Sequence, residues 1–274
     1  MDQFLTFKNF LISKKQEKVK KGLTAVITGG SGRIGSIFTN QLLSSGHHVI
    51  SLSRDKNQFD KFKKNLPTKF QKKINWHFVD LSIPDTIENT IKIIKIKHKK
   101  IDILINNGSQ NLRGENINYD KKKILSEFWG GFGGTLLLTE KILPFLRTSK
   151  NAKIINVCSI WGMNASKSST YLNLDIGPSQ MLGASKASLI QYTKQLATRE
   201  IKNKITVNGL IPGWFPRKGK KENEKYIKSI CQNIPANRIG KLRDLISSVD
   251  FLTSYKSSYY TGQFIIVDGG YTLW

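Results

Sequence analysis

The stretch QMLGASKASLIQY, residues 180–192, predicts a helix that presents a lysine among small side chains. Lys186 follows Leu182 by four positions, so the two side chains lie on the same face of that helix. A lysine cation lowers the pKa of a neighbouring acid and thereby favours proton transfer. Leucine cannot transfer a proton. The stretch therefore predicts an acid–base site whose donor lies elsewhere, or a site without catalysis.

The turn TGGSGRIG, residues 28–35, is the second stretch with chemical meaning. Its Gly30, Gly32 and Gly35 have GxGxxG spacing, and they lie between an apolar run and a helical pattern. Glycine permits positive φ and close approach of the backbone to a phosphate, while the amides that begin a helix attract that phosphate. The motif therefore predicts a site for the pyrophosphate of a dinucleotide.

The end of the next apolar run, SLSRD at 51–55, bears on the type of dinucleotide. An acidic residue there usually accepts a hydrogen bond from the ribose 2′-hydroxyl of NAD, whereas an arginine pairs with the 2′-phosphate of NADP. Arg54 lies near that position, and Arg33 in the glycine turn is a second candidate. The sequence therefore favours NADP, with NAD as the alternative if Asp55 meets the ribose instead.

These residues need a scaffold, and the chain predicts one in which strands alternate with helices. The predicted strands are short apolar runs at 23–28, 48–53, 74–81, 101–106, 152–159, 204–211 and 263–270. Helical spacing is found at 34–46, 86–97, 134–146 and 180–201. Such alternation produces a parallel sheet that is covered on both faces. We expect an α/β fold with one domain built on a doubly wound, seven-stranded parallel sheet.

The composition limits the other function classes. The chain has 274 residues and a formal net charge of +25, which raises the question of nucleic-acid binding. Its lysines are spread along the whole chain, without a basic stretch interleaved with aromatics, so we expect no specific nucleic-acid site. No run of 18 or more apolar residues occurs, and we expect no transmembrane segment.

Cysteine and histidine usage narrows the setting further. Two cysteines, Cys158 and Cys231, cannot make a disulfide framework, which favours a reducing compartment and a cytoplasmic location. We expect Cys158 to pack in the core. The four histidines lack metal-ligand spacing, so no metal site is expected.

Residues 1–22 form an extension before the predicted domain at 23–274. The extension is apolar first and basic afterwards, which is the reverse of a secretory signal. A membrane-surface helix, a helix packed on the body or on a partner subunit, and a loose tail are the three alternatives.

Seven motifs together resemble the short-chain dehydrogenase/reductase family over roughly residues 23–274. They are TGGSGRIG (28–35), VDLS (79–82), INNGS (105–109), INVCSIWG (155–162), GASK (183–186), NGLIPGW (208–214) and YTGQFIIVDGG (260–270). The resemblance implies a Rossmann-like NAD(P)-binding domain and an oxidoreductase that acts on an alcohol or a carbonyl. The TGxxGxxG spacing and the long gap between Ser159 and position 182 look more like the extended relatives that modify nucleotide sugars. A sugar or sugar nucleotide is therefore among the expected substrates.

The family is similar in its use of an Asn–Ser–Tyr–Lys catalytic set, and this chain keeps half of it. By resemblance, Ser159 would position the carbonyl oxygen, and Lys186 would hold the nicotinamide ribose and act on the proton donor. The tyrosine position is occupied by Leu182 and the asparagine position by Gly131. The catalytic set is therefore degenerate.

Tyr171, in SSTYLNLD, is the candidate for the missing catalytic acid, if its loop folds back to the vacant position. The alternatives are that Tyr171 only packs on the surface of the cleft, or that Lys186, Asp175 or water handles the proton. The resemblance also places the substrate walls at Trp161, Met163, Trp214 and Phe215, and a mobile lid at 215–233.

The resemblance further implies the cofactor contacts. Asp80 would bond the adenine, Asn107 would lie against the adenosine ribose, and the nicotinamide side would be lined by Pro212 and Gly213. The expected cofactor-binding residues are Gly29, Ser31, Gly32, Arg33, Ile34, Gly35, Arg54, Asp80, Leu81, Asn107, Lys186, Pro212 and Gly213. Because such proteins usually associate through helices like 134–148 and 180–201, with the segment near Trp274 close to a contact, a homodimer or homotetramer is expected.

Two functions follow as alternatives. The first is an NADP-dependent oxidoreductase with a small-molecule alcohol or carbonyl substrate. The second is a catalytically silent NADP(H)-binding protein, either a sensor or the non-catalytic subunit of an active homologue. Both share the cofactor site and differ only at the proton donor. Charge-driven nucleic-acid binding is the outlying third reading.

Overall fold

Seven parallel strands form the centre of the part of the chain that the computed structural model describes, which is residues 22–110, 117–166, 168–171, 177–215 and 224–273. They are β1 (Thr24–Thr28), β2 (His48–Ser53), β3 (Ile74–Phe78), β4 (Ile103–Asn106), β5 (Ala152–Val157), β6 (Ile205–Pro212) and β7 (Phe264–Val267). The order across the sheet is β3-β2-β1-β4-β5-β6-β7. The strand order reverses between β1 and β4, which opens a crevice at the carboxyl ends of these strands.

Helices cover both faces of this sheet. They are α1 (Gly35–Ser44), α2 (Lys56–Lys64), α3 (Thr68–Gln71), α4 (Pro84–Lys97), α5 (Lys121–Phe128), α6 (Gly134–Leu146), α7 (Gln180–Glu200), α8 (Glu224–Gln232) and α9 (Ile246–Thr253). A π-helical segment, Trp129–Gly133, joins α5 to α6. None of the helices in the described ranges has the length and apolar character that crossing a bilayer requires.

Alternate residues of each strand supply two separate cores. On β5, Ile154 belongs to the core under α4, α6 and α7, while Ile155 belongs to the core under α1 and α9. All six residues of β5 are buried, as are all eight of β6. This two-sided burial explains why the central strands are continuous apolar runs in the sequence.

The structure confirms the predicted single α/β domain with a seven-stranded parallel sheet and adjusts several boundaries. The third strand ends at Phe78, three residues before the predicted end, because the chain turns where Asp80 Oδ1 accepts hydrogen bonds from the backbone amide and hydroxyl of Ser82. The sequence analysis predicted no helix at the positions of α2, α3, α5, α8 and α9, and it assigned the region of α8 only to the predicted lid. The predicted N-terminal extension lies outside the described residues, apart from Gly22. So do Asp175, Trp274 and residues 216–223 of the predicted lid.

Candidate active site

The glycine turn between β1 and α1 has the shape of a phosphate cradle. Gly29 has φ +65°, and a Cβ on Gly35 would lie 2.1 Å from Gly29 O, so side chains are excluded at these positions. Ser31 is buried, and its hydroxyl has no hydrogen-bond partner among the described residues. A bare turn, an open hydroxyl and the amides that begin α1 fit the pyrophosphate of a dinucleotide.

The structure brings the predicted adenine-side residues together at the ends of β2 and β3. Arg54, Asp80 and Leu81 line a cavity of about 170 Å³ with Gly29. Arg54 Nη1 donates to Gln110 Oε1 and lies 3.7 Å from Asp80 Oδ2. The Arg54 guanidinium is therefore held by residues of the cavity lining, and its remaining N–H groups can still donate.

Asp55, the alternative ribose ligand, has a structural role. Its side chain caps α2, where Oδ1 accepts a hydrogen bond of 2.8 Å from Gln58 N. A carboxylate at the start of a helix is stabilised by the free amides of the first turn. Residue 55 therefore already has a partner that competes with a ribose hydroxyl.

Asn107 joins the end of β4 to the glycine turn. Its Nδ2 donates to Thr28 O at 2.9 Å, and its backbone N–H donates to Thr28 Oγ1 at 3.0 Å. The side chain thus fixes the last residue of β1 beside the crevice. The ribose contact predicted for Asn107 is not tested by this arrangement.

Ser159 and Lys186 line one central cavity of about 350 Å³. Ser159 follows β5 and its Oγ accepts from Trp161 N at 3.2 Å. Lys186 comes from α7, is 6% exposed, and donates from Nζ to Val157 O at 2.9 Å. A Cβ on Gly162 would lie 2.7 Å from Lys186 C, so this glycine lets the turn after β5 pack directly on α7. The close packing explains how a strand and a helix bring both side chains to one cavity.

Burial sets the protonation behaviour of two groups beside this cavity. Desolvation lowers the pKa of Lys186 from its ordinary value. The same effect raises the pKa of the neighbouring Cys158 thiol to about 12. Cys158 is thus a neutral core residue, as the sequence analysis predicted, and has none of the thiolate character of a nucleophile. Lys186 is a basic residue that lines this cavity.

Leu182 occupies the wall of the central cavity one turn before Lys186. Its backbone N–H donates to Ser179 Oγ at 3.1 Å, while Ser179 Oγ donates to the buried Glu127 at 3.0 Å. Ser179 therefore caps α7 and is itself anchored to α5. The helix start is firmly positioned, although the side chain at position 182 is apolar.

Tyr171 is buried, with 2% of its surface exposed, and it lines the same cavity as Ser159 and Lys186. Its ring centroid lies 6.4 Å from that of Trp161 and 5.7 Å from that of Trp214. On the far side lies Tyr226, with ring centroids 6.2 Å apart. Tyr171 therefore packs in the wall of the cleft, and its role as the missing catalytic acid stays a prediction.

The other predicted wall residues divide into two groups. Trp161, Trp214 and Phe215 line the central cavity, but Met163 is 49% exposed and does not line it. The prediction of Met163 as a wall residue is wrong, because the short helical turn Ile160–Gly162 directs the following residue outward. The cavity instead includes Tyr226 of α8, which the sequence analysis did not single out. The apolar spacing of Tyr226, Ile227 and Ile230 was the available signal for that contribution.

The Arg33 side chain contacts the segment after β6, whereas the sequence predicted a contact with a 2′-phosphate. Its Nη1 donates to Phe215 O at 2.7 Å, and the residue lines the central cavity with Ile34 and Gly213. This contact ties the glycine turn to the segment after β6. Its role beside a 2′-phosphate is therefore less well supported than that of Arg54.

Gly131, at the position of the expected asparagine, is buried in the π-helical segment Trp129–Gly133. Beside it, Gly130 O accepts from Gln110 N at 2.9 Å, and a Cβ on Gly130 would lie 2.8 Å from Gln110 Cβ. Extra-wide helical turns of this kind are frequent at functional sites. Here the turn is used for close backbone packing against the loop after β4, and position 131 supplies no polar side chain.

Comparisons with known proteins agree with this geometry. Residues 23–226 match the family model described as short chain dehydrogenase. The chain belongs to this family. The short-chain dehydrogenase fold and the resemblance stated from the motifs are thus confirmed, as is the general class of NAD(P)-dependent oxidoreductase.

Individual relatives extend the comparison. The chain is 29% identical to a 7alpha-hydroxysteroid dehydrogenase of Bacteroides fragilis over 256 residues, which cover 90% of this chain and 93% of the relative. A short chain dehydrogenase from Leptospira borgpetersenii with bound NAD+ superposes with a TM-score of 0.80 at 26% identity, covering 93% of this chain and 94% of the other. A gluconate 5-dehydrogenase from Burkholderia cenocepacia, in complex with NADP and tartrate, has a TM-score of 0.80 at 22% identity over 93% of this chain and 97% of its own; this similarity concerns the fold alone.

Proposed function

We propose that this short-chain dehydrogenase reduces or oxidises a small alcohol or carbonyl compound with NADP(H). The observation that carries the proposal is the shared lining of the central cavity. Ser159, Lys186 and Tyr171 border it together with Pro212 and Gly213, the residues expected beside the nicotinamide. Three residues whose side chains carry a hydroxyl, an amino group and a phenol thus line one cavity.

The proposed preference for NADP rests on Arg54 and Asp55. Arg54 has a half-exposed guanidinium at the end of β2 with N–H groups to spare, which suits a 2′-phosphate. Asp55 is engaged as the cap of α2, which weakens the case for a carboxylate–ribose contact typical of NAD. The solved structures of similar fold contain NAD+ in one case and NADP in another, so the preference depends on these two residues.

In the proposed mechanism, NADP(H) would supply or take the hydride when bound, and residues of the chain would bind the substrate oxygen and transfer its proton. Ser159 Oγ donates a hydrogen bond to the carbonyl oxygen and holds it in the cavity. Tyr171 Oη donates the proton in reduction and accepts it in oxidation, in place of the missing tyrosine at position 182. Lys186 stabilises the ionised phenol by its positive charge.

The aromatic wall supports a substrate with a flat apolar face. Trp161, Tyr171, Trp214 and Tyr226 pack against one another around the substrate side of the cavity. Such rings bind the apolar face of a ring-shaped substrate well, while their N–H and O–H groups orient polar substituents. We propose a ring-bearing alcohol or ketone, with sugars and sugar nucleotides included in that class.

A catalytically silent NADP(H)-binding protein is the second candidate. Two observations favour it: Leu182 lines the cavity where the family's acid would lie, and Gly131 offers no side chain for a water relay. Both candidates share the cofactor cradle. They differ only in whether Tyr171 can deliver a proton to the substrate oxygen.

Turnover of NADPH with a panel of cyclic ketones and sugars separates the two candidates. We expect the wild-type protein to oxidise NADPH, which is seen as a loss of nicotinamide absorbance. The rate of this loss should be lower by about 10²-fold or more in Tyr171→Phe and in Ser159→Ala. Tyr259→Phe is the matched control, because Tyr259 is fully exposed. Tight NADPH binding without turnover on any substrate would favour the silent protein, and turnover unchanged in Tyr171→Phe would remove Tyr171 from the mechanism.

A further inference from the structure

A second cavity lies at the opposite end of the sheet, under the amino ends of the strands. Its volume is about 900 Å³, and its lining includes Leu23, His47, Asp102, Lys153 and Tyr255. We call it the basal cavity. None of these residues lines the central cavity, so the reaction described above makes no use of them.

Lys153 is the unusual residue of the basal cavity. It is the second residue of β5, 2% exposed, and its Nζ has no hydrogen-bond partner among the described residues. Thr206, its register partner on β6, also has a buried hydroxyl without such a partner. A buried ammonium group without an acceptor is strongly unfavourable, so some acceptor is expected to complete it.

The carboxylates nearby are engaged elsewhere. Asp102 accepts from Ser149 Oγ at 2.7 Å, from Thr24 N at 3.1 Å and from Lys100 Nζ at 3.0 Å. Asp250, on the rim, accepts from Gln41 Nε2. Neither carboxylate accepts a hydrogen bond from Lys153 Nζ. The acceptor for the ammonium is therefore expected from outside the described residues.

His47 provides a second open donor. It is 4% exposed, and its Nδ1 has no hydrogen-bond partner among the residues described. Burial lowers the pKa of His47, which favours the neutral ring, and a neutral ring with the proton on Nδ1 can donate one hydrogen bond. The lining of the basal cavity thus includes one buried cation and one buried neutral donor, together with Leu23 and Tyr255.

We propose that the basal cavity binds a small organic monocarboxylate, with its carboxylate on Lys153 Nζ and its apolar body against Leu23 and Tyr255. A single ammonium suits a single negative charge. A phosphate dianion requires more donors, and the repulsion from the Asp102 carboxylate is stronger for two negative charges than for one.

The ionisation of Lys153 agrees with this assignment. Burial lowers the pKa of Lys153 to about 8. In most molecules the amino group is therefore still protonated at neutral pH. A charged donor forms hydrogen bonds to a carboxylate that are about twice as strong as neutral ones. The geometry and the charge therefore point to the same class of ligand.

Sodium benzoate is the probe for a direct test, with sodium chloride at the same ionic strength as the reference. We expect calorimetry to detect benzoate binding to the wild-type protein and benzoate to raise its thermal midpoint. Lys153→Met should weaken that binding by about tenfold to a hundredfold, because a hydrogen bond to a charged group is lost. Lys92→Met is the matched control, because Lys92 is exposed on α4 and its substitution removes the same charge.

Three outcomes would overturn the proposal: no benzoate binding by the wild-type protein, equal binding by Lys153→Met, or binding of inorganic phosphate without binding of benzoate. If Lys153→Met does not fold, the wild-type measurement still decides, and Lys153→Arg should retain binding. NADPH affinity, measured in parallel, should be the same in Lys153→Met and in the wild-type protein. The test is therefore independent of the proposed oxidoreductase function.

Discussion

Two buried lysine side chains lie at the two ends of β5, and their surroundings differ. At the carboxyl end, Lys186 Nζ donates to Val157 O, on the last residue of the strand. At the amino end, Lys153 Nζ has no hydrogen-bond acceptor in the described part of the chain. Both amino groups are removed from water, but among the described residues only that of Lys186 has an acceptor.

This difference separates a site that is organised before ligand binding from one that is incomplete. In doubly wound sheets, ligands bind at the carboxyl ends of the strands, and there the chain supplies a glycine cradle, a capped α7 and a bonded lysine. At the amino end, Lys153 Nζ and His47 Nδ1 have no hydrogen-bond partner in the ranges that the structure describes. An incomplete site is expected to respond to a ligand mainly through stability, whereas the organised site responds through chemistry.

Lys186→Met should have the largest effect. Removing the ammonium eliminates the charge that supports proton transfer, and we expect turnover to fall by about 10²- to 10⁴-fold. Steady-state rates with NADPH measure the change, with Lys92→Met as the control for lost surface charge. Turnover close to that of the wild-type protein would show that the lysine at the carboxyl end of β5 is structural only.

Lys153→Met should make the folded protein more stable. Replacing an unpaired buried charge with an apolar side chain of similar length is expected to raise the free energy of unfolding by about 1–4 kcal/mol. Urea denaturation without added carboxylate measures the difference. A destabilised variant would mean that Lys153 has an acceptor after all, and the contrast between the two lysines would be lost.

Arg54→Gln tests the adenine side of the organised end. We expect NADPH affinity to fall by about tenfold to a hundredfold, because charge-assisted hydrogen bonds to the 2′-phosphate are lost. NADH, which lacks that phosphate, should bind Arg54→Gln and the wild-type protein alike. Equal losses for the two nucleotides in fluorescence titrations would argue against a preference for NADP.

The sequence was sufficient to predict the sheet and the order of its elements. Continuous apolar runs such as ILIN at 103–106 and the strand–turn–helix context of TGGSGRIG depend on local pattern, and both have the expected structure. The helix α5 was missed, because its lysine-rich start has weak apolar spacing and is followed by glycines that disfavour helix. Those glycines instead form the π-helical turn.

The details of both ends of β5 depend on tertiary contacts that no local pattern shows. Tyr171 was a candidate from its residue type and its place in the gap between Ser159 and position 182. Its burial among Trp161, Trp214 and Tyr226 follows from segments that are distant in sequence. Lys153 lay unnoticed within a strand pattern. Its burial depends on α9, which packs on the same face of the sheet as Ile155 and Val157.

The pH dependence of stability gives the smallest and most specific effect. The pKa of Lys153 is lowered from 10.5 to about 8 in the folded protein, so between these values the unfolded chain binds more protons than the folded one. Stability therefore rises with pH in this range, and the penalty from Lys153 is complete only below pH 8. The stability advantage of Lys153→Met should decrease by about 1 kcal/mol between pH 7 and pH 9.

Benzoate should reduce the same stability advantage at pH 7, because a bound carboxylate raises the pKa of the Lys153 ammonium and so removes the penalty without a change of pH. A difference between the two proteins that is constant with pH and unaffected by benzoate would show that the ammonium at the amino end of β5 is already satisfied.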